Sequence, residues 1–204
     1  MKWTLKKVIK ETDHPFLNFY TLDYDVEKED GHHDYRYYMA SRRDEKSLLP
    51  ITHSRRADGI LIPLYYVDPK TGEISIVITS QFRPPMGDYV NSFVAGLLDP
   101  GDKDLFDTAR REAKEEIGAE ITDLELLAPA SPTSSGMSDE INACVLGRIV
   151  DFKDKKLEEF EDIGYKLVPL DKAVELLKDP KYFFPLQIRM VILYLSYRLK
   201  EQKK

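Results

Sequence analysis

The chain has 204 residues and a formal net charge of −6, a length that suits one domain, or one domain with a small appendage. Its hydrophobic share of 42% is enough to close a core, and twelve Tyr residues argue against a disordered chain. The acidic balance argues against the basic footprint of a nucleic-acid-binding protein.

Cys144 is the only cysteine, so no intramolecular disulfide can form. That predicts a reducing compartment, with Cys144 itself a small buried residue. The first residues are rich in Lys and never build the apolar stretch of a signal peptide. The longest apolar run, 60–67, is far too short for a bilayer core of about 30 Å. The expectation is a soluble, cytoplasmic protein with no membrane partner.

In chain order, 16–22 and 35–40 alternate aromatic and polar residues around a turn at Asp30-Gly31, which predicts an antiparallel hairpin. A lone hairpin is marginal in water, so this one must pack on the main domain or on another copy of the chain. Residues 59–67 and 74–79, split by Asp68-Pro69-Lys70-Thr71-Gly72, predict a second hairpin. Further strands are expected near 124–127, 141–149 and 165–168. One strong helix is expected at 104–117, and two more at 172–177 and 185–200. Mixed strands with a few helices predict the α+β class. The division expected is an N-terminal hairpin and dimerisation subdomain over 1–50 and a main domain over 51–204.

The helix at 104–117 carries the chemistry. Leu105, Ala109, Ala113 and Ile117 recur every fourth residue and share one face, with Asp104 placed as N-cap and Gly118 as terminator. On the remaining surface, Glu115 has Arg111 four residues earlier. Glu112 and Glu116 have no basic residue three or four positions away. Like charges at that spacing cost about 0.2–0.5 kcal/mol per pair. Carboxylates near a helix C-terminus also oppose the macrodipole. A bound divalent cation would reverse both penalties, because hard cations take carboxylate oxygens. The alternative on the helix alone is a solvated acidic face.

A Gly-rich loop, Ala95-Gly96-Leu97-Leu98-Asp99-Pro100-Gly101-Asp102, precedes this helix. Loop and helix together resemble the Nudix family, whose box reads G-x5-E-x7-R-E-U-x-E-E-x-G-U, with U aliphatic. Gly96, Arg111, Glu112, Ala113, Glu115, Glu116, Gly118 and Ala119 fall on its positions. The first Glu of the box is Asp102 here, and eight residues rather than seven separate it from Arg111. Ser92 stands where ADP-ribose-type members tend to carry an acid.

The resemblance implies an α/β/α sandwich with a mixed sheet, plus the N-terminal antiparallel hairpin subdomain. It also implies that Glu112, Glu115 and Glu116, with the carbonyl of Ala95, hold Mg²⁺ or Mn²⁺. The implied reaction is hydrolysis of the pyrophosphate of a nucleoside diphosphate derivative, foremost ADP-ribose to AMP and ribose 5-phosphate. Glu115 and Glu116 would act catalytically through the metal, with a loop Glu as base: Glu159 first, Glu161 second. Gln81-Phe82-Arg83 resembles a strand-end phosphate contact of ADP-ribose hydrolases, Arg55 a second one, and Pro132 a substrate-loop residue. Glu140 is a further candidate for the metal site. The hairpin resembles one that packs across a twofold dimer, with Tyr20, Tyr35 and Tyr37 available to stack on a base. The implied partners are a small nucleotide and a second copy of the chain. The competing reading, from a different class, is a catalytically silent domain that senses a nucleotide.

Overall fold

A computed structural model describes residues 1–153 and 162–201. The chain forms two compact units, one of residues 1–58 with 130–142, the other of 59–129 with 143–204.

The first unit is built on an antiparallel sheet in the order β1-β2-β3, with β1 (Lys2–Lys10), β2 (Asn18–Lys28) and β3 (Gly31–Ser41). The expected hairpin is its β2–β3 pair, longer than its aromatic core suggested. Strand β1 was not foreseen, because a register shift between Leu5 and Lys7 breaks its alternation. Tyr20, Leu22, Met39 and Leu48 form the core of this unit. Tyr20 is wholly buried and its hydroxyl donates to the Arg43 carbonyl at 2.9 Å. It is therefore a core residue, not a stacking platform.

After β3 come a single 3-10 turn (Glu45–Ser47), capped by Asp44, and the short helix α1 (Leu49–Thr52). Nη2 of Arg43 lies 2.6 Å from Asp58 and Nε 3.8 Å from Asp139. Asp139 accepts from the Leu49 amide and Asp58 from the Ile141 amide, each at 3.0 Å. These mostly buried charges tie segment 133–141 to the end of β3.

The second unit contains a mixed sheet. Its strands are β4 (Gly59–Ile62), β5 (Leu64–Val67), β6 (Ile74–Arg83), β7 (Asp88–Ser92), β8 (Val94–Leu97), β9 (Ala119–Pro132), β10 (Ile141–Phe152) and β11 (Ile163–Pro169). The path runs β11-β6-β5-β10-β4-β8, with β7 paired to β6 and β9 to β10. β5 and β10 are parallel, whereas β4–β8, β5–β6 and β6–β11 are antiparallel. The apolar run expected as one strand is split at Pro63, which has no amide to give a ladder.

Helices α3 (Leu170–Leu176) and α4 (Leu186–Glu201) pack Leu170, Ala173, Ile188, Ile192, Leu195 and Leu199 against Ile76, Ile78 and Phe93 of the sheet side. Val77, on the opposite face of β6, is equally buried. Helix α2 (Leu105–Ile117) packs on β8, β4 and β11. The class is α+β, as expected. Among the described residues, no helix is long and apolar enough to cross a membrane.

Candidate active site

The site grows from the start of α2. The Asp104 side chain accepts from the amides of Phe106 and Asp107, at 2.8 and 2.9 Å, which satisfies two of the orphan donors of the first turn. At the other end Gly118 adopts φ 68° and closes the helix with its amide. Ala109, Ala113 and Ile117 are buried, as their spacing required, and the two Ala let the helix lie close to the sheet. The flank beside this face, with Arg111 and Glu112, meets β8 and the loop that follows it.

Gly96 of β8 is where helix and strand meet. A Cβ on Gly96 would stand 1.9 Å from Oε1 of Glu112 and 2.0 Å from its carboxyl carbon. The carboxylate of Glu112 fills the space that any larger residue at 96 would take. Only glycine permits so close an approach.

Arg111 organises the rest. Its Nη1 donates to Glu112 at 2.7 Å and to Glu115 at 3.0 Å, and its Nη2 donates to the Leu97 carbonyl at 2.9 Å. Nε and Nη2 together grip Asp102, at 3.2 and 2.9 Å, as a two-pronged pair. The pairing with Glu115 follows the expected four-residue spacing. The pairing with Glu112 does not, since adjacent residues diverge around a helix; the long guanidinium reaches across.

Asp102 also accepts from the Thr108 hydroxyl and the Asp99 amide, each at 2.9 Å. The Arg111 hydrogen bonds, more than the other donors, hold the Asp102 carboxyl well below the usual carboxylate range, against the opposing effect of burial. The same contact raises Arg111 further above its already high value. The extra loop residue and the shorter acid are thus accommodated: Asp102 reaches Arg111 and seals the loop onto the first turn. Sequence reasoning missed Thr108, fully buried, although its place six residues after Asp102 was there to read.

Glu116 is buried in the last turn, 7% exposed. Among the described residues, no three acidic, His or Cys groups stand together at metal-holding distance as placed; Glu112 and Glu115 lie on Arg111 instead. The donor set still suits a hard cation, because the Gly96 cradle holds one carboxylate against the strand and two further carboxylates follow on the same helix.

The other expected site residues are dispersed in sequence. Arg83 ends β6 at an exposed hairpin, register partner of Asp88. Arg55 and Pro132 are exposed and belong to the first unit. Glu140, also there, accepts from the Thr133 hydroxyl at 3.0 Å and lies 3.3 Å from Arg42. Glu159 and Glu161 lie outside the described residues. Asp162, which follows them, accepts from the Tyr89 hydroxyl at 3.0 Å. Cys144 is buried, and burial pushes its thiol up to about 12.

Comparison with known proteins identifies the family and the fold. The NUDIX domain family profile matches residues 55–187. The chain is 31% identical over 115 residues to a methanol dehydrogenase activator of Bacillus methanolicus, covering 55% of this chain and 61% of the relative. It is 30% identical over 109 residues to the ADP compounds hydrolase NudE of Escherichia coli K12, covering 52% and 56%. The matches thus span about three fifths of those relatives' length. A crystal structure of an ADP compounds hydrolase superposes with a TM-score of 0.72 over 99% of this chain and 96% of that one, at 19% identity, which makes the fold the same. The chain belongs to the Nudix family.

Proposed function

We propose that this chain is a metal-dependent hydrolase of the phosphoanhydride bond in an ADP-type nucleoside diphosphate derivative, with ADP-ribose, cut to AMP and ribose 5-phosphate, as the leading substrate. The seat of Glu112 on Gly96 carries this reading. A carboxylate pressed against backbone has a fixed position, and a metal site needs that. The similarity to a protein named ADP compounds hydrolase supports the substrate class.

Glu112, Glu115 and Glu116, with the Ala95 carbonyl, would hold Mg²⁺ or Mn²⁺. A cation held there would neutralise pyrophosphate charge and lower the pKa of a water. The chain's own residues do the remainder. Arg111, donating to both, keeps Glu112 and Glu115 in reach of one another. Arg83 and Arg55 would take substrate phosphate, where the planar fork suits paired oxygens, and Pro132 would shape the substrate loop. Glu159, or else Glu161, would accept the proton of the attacking water. The protein is proposed to work in the cytoplasm as a homodimer, with the N-terminal sheet as the dimerising part.

A panel of ADP-ribose, ADP-sugars, a dinucleoside polyphosphate and NADH, each with Mg²⁺ and with Mn²⁺, tests the substrate. A rate on ADP-ribose well above the others is expected; equal rates on all would remove the case for it. The extra residue in the box and Ser92, where an acid would be expected, favour one second reading, a silent nucleotide sensor. Tight binding of ADP-ribose without turnover in either metal would support that one instead.

A further inference from the structure

We propose that the outward face of α4 pairs with α4 of a second copy of this chain, the two helices antiparallel about a twofold axis between Met190 and Leu193. This contact is separate from the N-terminal sheet and does not rest on it.

A surface helix ordinarily keeps one apolar stripe for the core and gives polar residues to water. α4 has two apolar stripes. Ile188, Ile192, Leu195 and Leu199 are buried in the core beside the sheet. On the opposite side Leu186, Met190, Leu193 and Tyr197, spaced by four, three and four residues, form one row with Tyr194 beside it. Each of these five is between 44 and 73% exposed. From Leu186 to Leu199 the only other exposed residue is Gln187. No exposed side chain on that stretch is charged, in a chain whose residues are 32% charged. Its two arginines are turned to their own copy: Arg189 donates to the Leu177 carbonyl and Arg198 to Glu125, each at 2.6 Å.

Spacing, charge and area select a second copy as the occupant. The four-three-four spacing reads the same from either end. A twofold axis therefore sets Leu186 opposite Tyr197 and Met190 opposite Leu193, each pair occurring twice, as a self-complementary contact requires. Such a row is the apolar seam along which two helices coil. Beside the seam, Gln187 falls near Tyr194 of the other copy and Arg189 near Ser196, so no like charges meet. A chain of net charge −6 repels a copy of itself in general, and this uncharged face escapes that cost. At about 150–250 Å² for a large side chain of this kind, the five leave roughly 600 Å² of apolar surface on one copy, at the upper end for a monomer. Two copies would bury about 1,200 Å², the lower bound of stable, specific interfaces. The other stripe already holds the helix in place, so pairing needs no helix nucleation.

Light scattering at micromolar concentration, with folding checked by circular dichroism, tests this. Leu193→Glu places a charge opposite Met190 of the other copy and should halve the wild-type mass, with dissociation at least tenfold easier. The halving is expected whether or not the N-terminal sheet forms its own contact. Leu193 is exposed, so the variant is expected to fold; Tyr197→Glu, more exposed still, carries the test if it does not. Met190→Lys combined with Leu193→Glu in one chain should regain the mass, because each Lys then stands opposite a Glu of the other copy. A wild type that is monomeric, or whose mass survives the single substitution, overturns the α4 contact. In the second case the N-terminal dimer reading stands. A double variant that stays at half mass overturns the antiparallel register. Flotation of wild type, but not of Leu193→Glu, with phosphatidylcholine vesicles, at unchanged mass in solution, would give the face to a lipid surface and overturn the second copy as its occupant.

Discussion

Gly96 and Glu112 share one space: a methyl group on the glycine would stand 1.9 Å from the glutamate Oε1. The glycine sits in β8 with no positive φ, so an alanine there strains nothing in the backbone. What must move is the carboxylate, the far end of a flexible side chain that Arg111 holds. Gly96→Ala is therefore expected to fold, with stability changed by about 1 kcal/mol or less. Hydrolysis should fall about a hundredfold, as for a reacting group displaced by an ångström. Turnover equal to wild type, measured beside thermal unfolding, would mean that Glu112 is not held there for a metal.

Asp102 makes a pH prediction with a definite sign. Its folded-state pKa is lowered, chiefly by Arg111, so its stabilisation is present in full above the ordinary Asp range, near about 3.9. It is lost as the pH falls below that range and the carboxylate protonates. Asp102→Asn should cost about 2 kcal/mol at neutral pH, typical of hydrogen bonds to a charged group. The gap from wild type should narrow in acid. Urea unfolding at neutral pH and near pH 3 checks this, and a constant gap would contradict it.

The thiol of Cys144, buried and pushed up to about 12, is expected to stay protonated and unreactive at pH 8. A disulfide reagent should label it only once urea has unfolded the chain. Rapid labelling of the native protein would place the thiol at the surface.

Asp104→Ala removes the acceptor for two amides of α2. A loss of about 1 kcal/mol is expected, seen as a fall in Tm of about 2–4 °C for a chain of this size. No change would show that the cap is replaced by solvent.

How much of this was legible in the sequence depends on the range of each interaction. The α2 ends, Asp104 and Gly118, and its buried face, Ala109, Ala113 and Ile117, follow from local spacing and were readable. So was the four-residue pair Arg111 and Glu115. β1 was hidden because Lys6 interrupts its alternation at the bulge. Pro63 was in view inside an apolar run, but its break was passed over. The Gly96 cradle joins residues sixteen apart and depends on how a helix lies on a strand, which no local pattern encodes. The Arg43 cluster with Asp58 and Asp139 is longer in range still. Asp102 stood out only as a departure; its four donors needed coordinates.

The most direct test of the proposed function is AMP release from ADP-ribose, with and without Mg²⁺, for wild type and Glu116→Gln. The variant keeps the shape of a buried side chain and removes its charge. Metal-dependent turnover by wild type that drops about a hundredfold in the variant, with the fold intact by circular dichroism, is the expected result. Turnover that survives the substitution would contradict the metal assignment on α2, and a wild type inert on every nucleotide of the panel would contradict the hydrolase itself.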